Sequence, residues 1–151
     1  MIRTQISQAL KDAMRAKNKE ATSTLRLINA AIKDRDIAAR PEGITDGVGD
    51  DEILQLMQKM IRQRQESIKM YEEAGRLELA EQERQEIGVI QTFLPAQMTE
   101  EEITHAVDKV VTEIGAESVK DMGRLMAALR ERYAGQMDFG KASGIAKARF
   151  S

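Results

Sequence analysis

QTFLPAQMTEEEI, residues 91 to 103, decides how this chain folds. Pro95 has no N–H to donate and its ring clashes with the turn before it, so a helix running through Ile87, Ile90 and Leu94 has to stop here. Thr99 followed three residues later by Glu102 has the spacing of a capping box. Glu100, Glu101 and Glu102 also put negative charge where a helix N-terminus is positive. The stretch therefore ends one helix and starts another. Both sides of it read as helix, so the expectation is an all-α chain of two domains. Residues 1–94 form an N-terminal helical hairpin or bundle, and residues 95–151 form a small three-helix tail domain.

Upstream of the break, Leu77, Ala80, Ile87, Ile90 and Leu94 mark the helix that the proline ends. Ile53, Met57, Met60, Ile61, Ile68 and Tyr71 recur at three- and four-residue steps and predict the longest helix, from Asp51 to a terminator at Gly75. PEGITDGVGD, residues 41–50, has no apolar period and reads as a mobile loop. Before it, Ile6, Leu10, Ala13 and Met14 share one helical face and Leu25, Ile28, Ala31 and Ile32 another, with a bend at Asn18 to Glu20. Downstream, Ile103, Ala106, Val107, Val110, Val111 and Ile114 form an apolar stripe closed by Gly115. Ser118 caps a second tail helix with Val119, Met122, Leu125, Met126 and Leu129 inward. A terminal helix starts at Lys141 after a turn at 135–140, with Gly140 and Gly144 as a close-packing face.

Nine methionines, 32% charged residues and only 3% aromatics suit a helical protein with a flexible aliphatic core. The absence of cysteine excludes a disulfide framework, a thiolate nucleophile and a Cys-type zinc site, and it suits a reducing compartment. Residues 1–20 lack the apolar run of a signal peptide, and no run approaches the roughly 20 residues of a membrane span. A soluble cytoplasmic protein without membrane contact is the expectation. The net charge of −2 is unevenly spread: residues 1–40 carry nine basic against four acidic side chains, and residues 121–151 six against three. Such patches allow a local anion-binding face on an acidic chain.

Motifs for chemistry are weak. GQMDFGKAS, residues 135–143, approaches a phosphate-binding loop, but Ala142 stands where the magnesium-binding hydroxyl belongs and LRERYA before it is helical rather than strand-like. His105 is the only histidine and points to solvent beside the apolar stripe, so no metal site and no cofactor are expected. The carboxylates Glu66, Glu72, Glu73, Glu78, Glu81, Glu83 and Glu86 alternate with basic residues as surface ion pairs, and no catalytic set is visible. Arg3, Lys11, Arg15, Lys17, Lys19, Arg26, Lys33 and Arg35 read as one basic face on the first two helices. With almost no aromatics for stacking, any nucleic-acid partner is a structured RNA recognised by shape.

Four stretches together are more specific: STLRLINAAIKDRDI (23–37), RQRQESIKMYEEAGRLELAEQERQEI (62–87), FLPAQMTEEEI (93–103) and DMGRLMAALRERYAGQMDFGKASG (121–144). Their order and coverage resemble the GatB/YqeY family. The resemblance implies a tail similar to the C-terminal tail of the B subunit of the glutamine-dependent aminoacyl-tRNA amidotransferase, which recognises tRNA while other domains form the amide. It implies RNA contact by Arg124, Arg130, Arg132, Lys141 and Lys147. The chain departs from the family's turn at Gln136, where many relatives carry a basic residue. The leading expectation is a non-catalytic, tRNA-associated or amidotransferase-like accessory module, with an aminoacyl-tRNA amidotransferase or synthetase as protein partner. The alternatives are a component of carbon–nitrogen ligation with glutamine as amido-N-donor, acting with partners, and a helical protein–protein adaptor.

Overall fold

The computed structural model describes residues 1–151. The chain is all-α, with seven α-helices and no strand: α1 (Ile2–Arg15), α2 (Lys19–Ala39), α3 (Asp50–Glu73), α4 (Leu77–Gln91), α5 (Glu100–Ile114), α6 (Met122–Tyr133) and α7 (Phe139–Phe150). It divides into two compact units, Met1–Leu94 and Pro95–Ser151.

In the first unit α2 packs against α1, α3 and α4, and α3 and α4 form an antiparallel hairpin. Ile6, Ile28, Ile53, Met57 and Ile90 are fully buried and make the centre of its core. The bend between α1 and α2 is closed by Asn18, whose side-chain oxygen accepts from the Ala21 N–H at 3.1 Å. α3 starts on Asp50, Asp51 and Glu52, which complement the helix dipole. Two apolar residues assigned to inward faces stand outside. Met14 is exposed because Ala13 fills the inward position of the last turn of α1. Leu77 is exposed because the hairpin outruns its neighbours. The start of α2 faces Gln82, Gln85 and Val89 of α4, so the 70–79 tip projects beyond it.

The connection from α2 to α3 begins with a 3-10 turn (Arg40–Glu42) and ends fastened to the bundle. Asp36 on α2 accepts from the Val48 N–H at 2.9 Å and from both terminal nitrogens of Arg3 at 2.9 and 2.5 Å. Arg3 in turn donates to the Val48 carbonyl at 3.0 Å. Val48 is buried. Gly47 sits at φ +92 with its α-carbon so close that an added Cβ would lie 2.7 Å from Arg3 Nη2. Residues 41–46 are exposed, and the Gly43 and Ile44 N–H groups donate only to the nearby Arg40 and Ala39 carbonyls, which leaves this part free of the Asp36 and Arg3 anchor. A broad-specificity protease is therefore expected to cut first within residues 43–46, read by mass of the first fragments; a first cut inside 53–73 would contradict the long helix.

In the second unit the capping box forms as its spacing requires: Thr99 Oγ1 accepts from the Glu102 N–H at 3.1 Å, and Glu102 Oε1 from the Thr99 N–H at 3.0 Å. α5 ends at Gly115 in the left-handed conformation, φ +68. A 3-10 turn (Val119–Asp121), capped by Ser118, leads into α6 and leaves Val119 exposed rather than inward. Ile103, Val107, Val110, Leu125, Leu129, Met137, Ala142 and Ala146 are essentially inaccessible to solvent. α7 presents Ala142 and Ala146 to this core. Gly144 lies on its outer side, where an added Cβ would meet nothing, so the alanines and not the glycines make the close-packing face. The helix also begins two residues before Lys141, at Phe139.

Candidate functional site

The turn between α6 and α7 decides whether the glycine–lysine motif can hold a phosphate. Asp138 is the N-cap of α7, and its Oδ1 accepts from the Gly140 N–H at 3.0 Å and the Lys141 N–H at 3.2 Å. A carboxylate of the chain itself thus occupies the amides that a phosphate would need. The turn is fixed from below by Gln97, which donates to the Gly135 carbonyl at 2.6 Å, and by the Met98 N–H, which donates to the Gln136 carbonyl at 2.8 Å. Magnesium nucleotide is accordingly expected to leave the melting temperature unchanged. A saturable rise abolished by Lys141→Ala would overturn this reading.

The five basic residues expected to meet RNA fall into two groups. Arg124, in the first turn of α6, donates to Asp121 at 3.2 Å and to the Ile114 carbonyl at 3.3 Å, so it closes the end of α5. The Asp121 carboxyl is held below the ordinary carboxylate range, first by the Glu117 N–H and then by Arg124. Arg132 turns to α5 and pairs with Glu113, a hydrogen bond that raises its own pKa. Arg149, not among the five, pairs with Asp108 at 2.6 Å. Against these, Arg130 lies over the Phe139 ring, 5.8 Å from its centroid, with its side chain exposed. Lys141 and Lys147 are exposed and in no ion pair. The fold brings Arg130 and Lys141 to the same turn, and Lys147 stands on the last turn of α7.

The basic row of the first two helices does not survive as one face. Arg3 is committed to Asp36, and Arg35 pairs with Glu52 at 3.4 Å. Lys17, Lys19 and Arg26 instead line a groove of about 680 Å³ with Met14 and Leu27. Among the carboxylates, Glu72, Glu83 and Glu86 bridge α3 and α4, whereas Glu81 pairs with Arg84 along α4 at 3.3 Å. Arg64 Nε donates to Glu86 at 2.8 Å, stands 3.9 Å from Glu83, and so clamps α3 to α4. Burial pushes the Glu83 carboxyl above its ordinary value, and the neighbouring Glu86 adds to this. Glu86 also borders a small cleft of about 130 Å³ with Ser23 and Thr24, but Thr24 Oγ1 donates to the Glu20 carbonyl at 3.1 Å and both carboxylates face Arg64, so the cluster reads as a structural clamp. No group of three or more His, Cys, Asp or Glu side chains is arranged to hold a metal ion, and no helix is long and apolar enough to cross a membrane.

The family model described as Yqey-like protein matches residues 3–150. The chain belongs to this family. Among similar proteins are three fungal ones that share the name altered inheritance of mitochondria protein 41, mitochondrial. That of Pyrenophora tritici-repentis is 35% identical over 129 residues, covering 82% of this chain and 68% of the relative. Those of Vanderwaltozyma polyspora and Eremothecium gossypii are 30% identical over 111 residues and 32% over 91, covering 72% and 60% of this chain and 58% and 48% of the relatives. Their names place these relatives in mitochondria and lend no support to the cytoplasmic assignment.

Proposed function

We propose that this Yqey-like protein is a non-catalytic accessory module whose C-terminal unit contacts folded tRNA. The observation that carries the reading is the separation of the tail's cations. Arg124, Arg132 and Arg149 are tied to carboxylates, whereas Arg130, Lys141 and Lys147 project free charge from α6 and α7. Free guanidinium and ammonium groups on a rigid helical unit neutralise phosphates without reading bases. Tyr133, Phe139 and Phe150 are packed partly against the tail core, which leaves no row of rings for stacking and favours a folded RNA over a single strand. The resemblance read from residues 121–144 to the tail of the amidotransferase B subunit supports an aminoacyl-tRNA amidotransferase or synthetase as the neighbour, in the cytoplasm or in the mitochondrial compartment that the relatives' names give. Capture of the tagged protein from its own cells, with sequencing of bound RNA and identification of bound protein, tests this. Enrichment of tRNA supports the reading; a protein partner recovered without RNA overturns it in favour of an adaptor.

A further inference from the structure

We propose that two copies of this chain pair through their N-terminal units, each placing the tip of its α3–α4 hairpin in the groove at the α1–α2 corner of the other. The two surfaces are complementary on the same molecule. The groove, about 680 Å³, exposes Met14 (51% accessible) and Leu27 between Lys17, Lys19 and Arg26, none of which is in an ion pair. With Arg15 beside them, these cations outweigh Glu20. The tip exposes Met70 (69%) and Leu77 (66%) amid Glu66, Glu72, Glu73, Glu78 and Glu81, which outweigh Lys69 and Arg76. Glu72 and Glu81 already share Arg84, whereas Glu66, Glu73 and Glu78 have no partner within the chain. Exposed methionine and leucine ringed by one sign of charge, facing a counterpart ringed by the other, form the apolar centre and steering rim of an interface.

Position supports reciprocity. The start of α2 is level with Gln82 of α4, so Leu77 lies about 7 Å further along the helix axis and the tip overhangs the corner of its own unit. Tip and corner thus occupy the same end of the unit, and a two-fold axis at that end carries each tip to the other corner, closing the pair at two copies. Lys17 is the corner cation whose charge can be removed without straining the backbone. It holds φ +56 at the close of α1, in the left-handed region where glycine is the undemanding residue.

Sedimentation velocity of the full chain from micromolar to near-millimolar concentration, at low and high salt, tests the proposal. The expected result is a monomer–dimer equilibrium that weakens at least tenfold with salt. Lys17→Glu with Arg26→Glu, and separately Glu73→Lys with Glu78→Lys, should each give monomers whose helicity and melting temperature match the parent, since all four positions are exposed. Mixed in equal amounts, the two variants should recover a heterodimer, because each tip again meets a groove of opposite sign. Lys17→Gly should weaken pairing without lowering the melting temperature. A parent that stays monomeric throughout, charge variants that pair as the parent does, a mixture that fails to associate, or assembly that grows past two copies would each overturn it.

Discussion

Asp36→Ala is expected to lower the stability of the N-terminal unit by about 2 kcal/mol, which for a unit of this size is a fall in melting temperature of about 10 °C. One carboxylate there holds three elements together: Arg3 of α1, its own helix α2, and the end of the loop at Val48. Removing it strips the Val48 N–H of its acceptor and leaves the Arg3 guanidinium half-exposed without its counter-ion. Hydrogen bonds to charged groups contribute about 1.5–3 kcal/mol each, discounted here because Arg3 is partly open to solvent and therefore screened. The hydrogen bond from Arg3, aided by the Val48 N–H, holds the Asp36 carboxyl below its ordinary value. Its contribution is present above the ordinary carboxylate range, near pH 4, and disappears as pH falls through the lower folded-state value. Asp36→Asn keeps an acceptor for Val48 and should recover part of the loss while flattening the acid dependence. Circular-dichroism melts between pH 7 and pH 2 read both effects. Equal melting temperatures for parent and Asp36→Ala at neutral pH would show that the loop is held by Val48 burial alone.

Leu125→Ala should have the larger consequence, because it falls in the smaller unit. Leu125 is wholly buried among Ile103, Val107, Leu129 and Met137, and truncating such a leucine costs about 3 kcal/mol. A unit of 57 residues has a total stability on the order of 3–8 kcal/mol, so the variant tail should be largely or marginally unfolded. Each unit holds its own set of buried residues, so the N-terminal unit should keep its transition. Hydrogen exchange resolved by peptide makes the distinction: amides of α5, α6 and α7 lose protection while those of α3 retain theirs. A loss of protection shared equally by α3 would mean that the chain unfolds as one body.

Sequence periodicity made most of the helices legible, because apolar spacing and caps are local properties. Thr99 and Glu102 formed their box, and Ile53 to Ile61 lie inward as their spacing requires. Where burial depends on what lies opposite, spacing alone misleads. Leu77 continues the stripe of α4 yet overhangs the bundle, and Val119 precedes α6 on a 3-10 turn that rotates it outward. Val48 and Met137 sit in segments read as turns, and both are buried by contacts distant in sequence. The candidate site was legible as a set of cations but not as a surface. Whether an arginine is free depends on a carboxylate tens of residues away, as with Arg149 and Asp108 or Arg132 and Glu113. Asp138 stands inside the glycine–lysine motif, and only the turn geometry shows that it caps α7 and fills the amides of that motif.

Titration of folded tRNA against the full chain across a series of salt concentrations tests the central claim most directly. Phosphate contacts release counterions, so the logarithm of the affinity should fall linearly with the logarithm of salt. Replacing Arg130, Lys141 and Lys147 together with glutamine should reduce the magnitude of that slope by about 3 and weaken binding at low salt, with helicity and melting temperature nearly unchanged. Replacing Arg124 and Arg132, which are engaged with Asp121 and Glu113, should change the slope less. A slope that falls with the first set and holds with the second is the predicted result; no binding at low salt, or a slope that the first set leaves intact, would contradict the assignment of this unit to RNA.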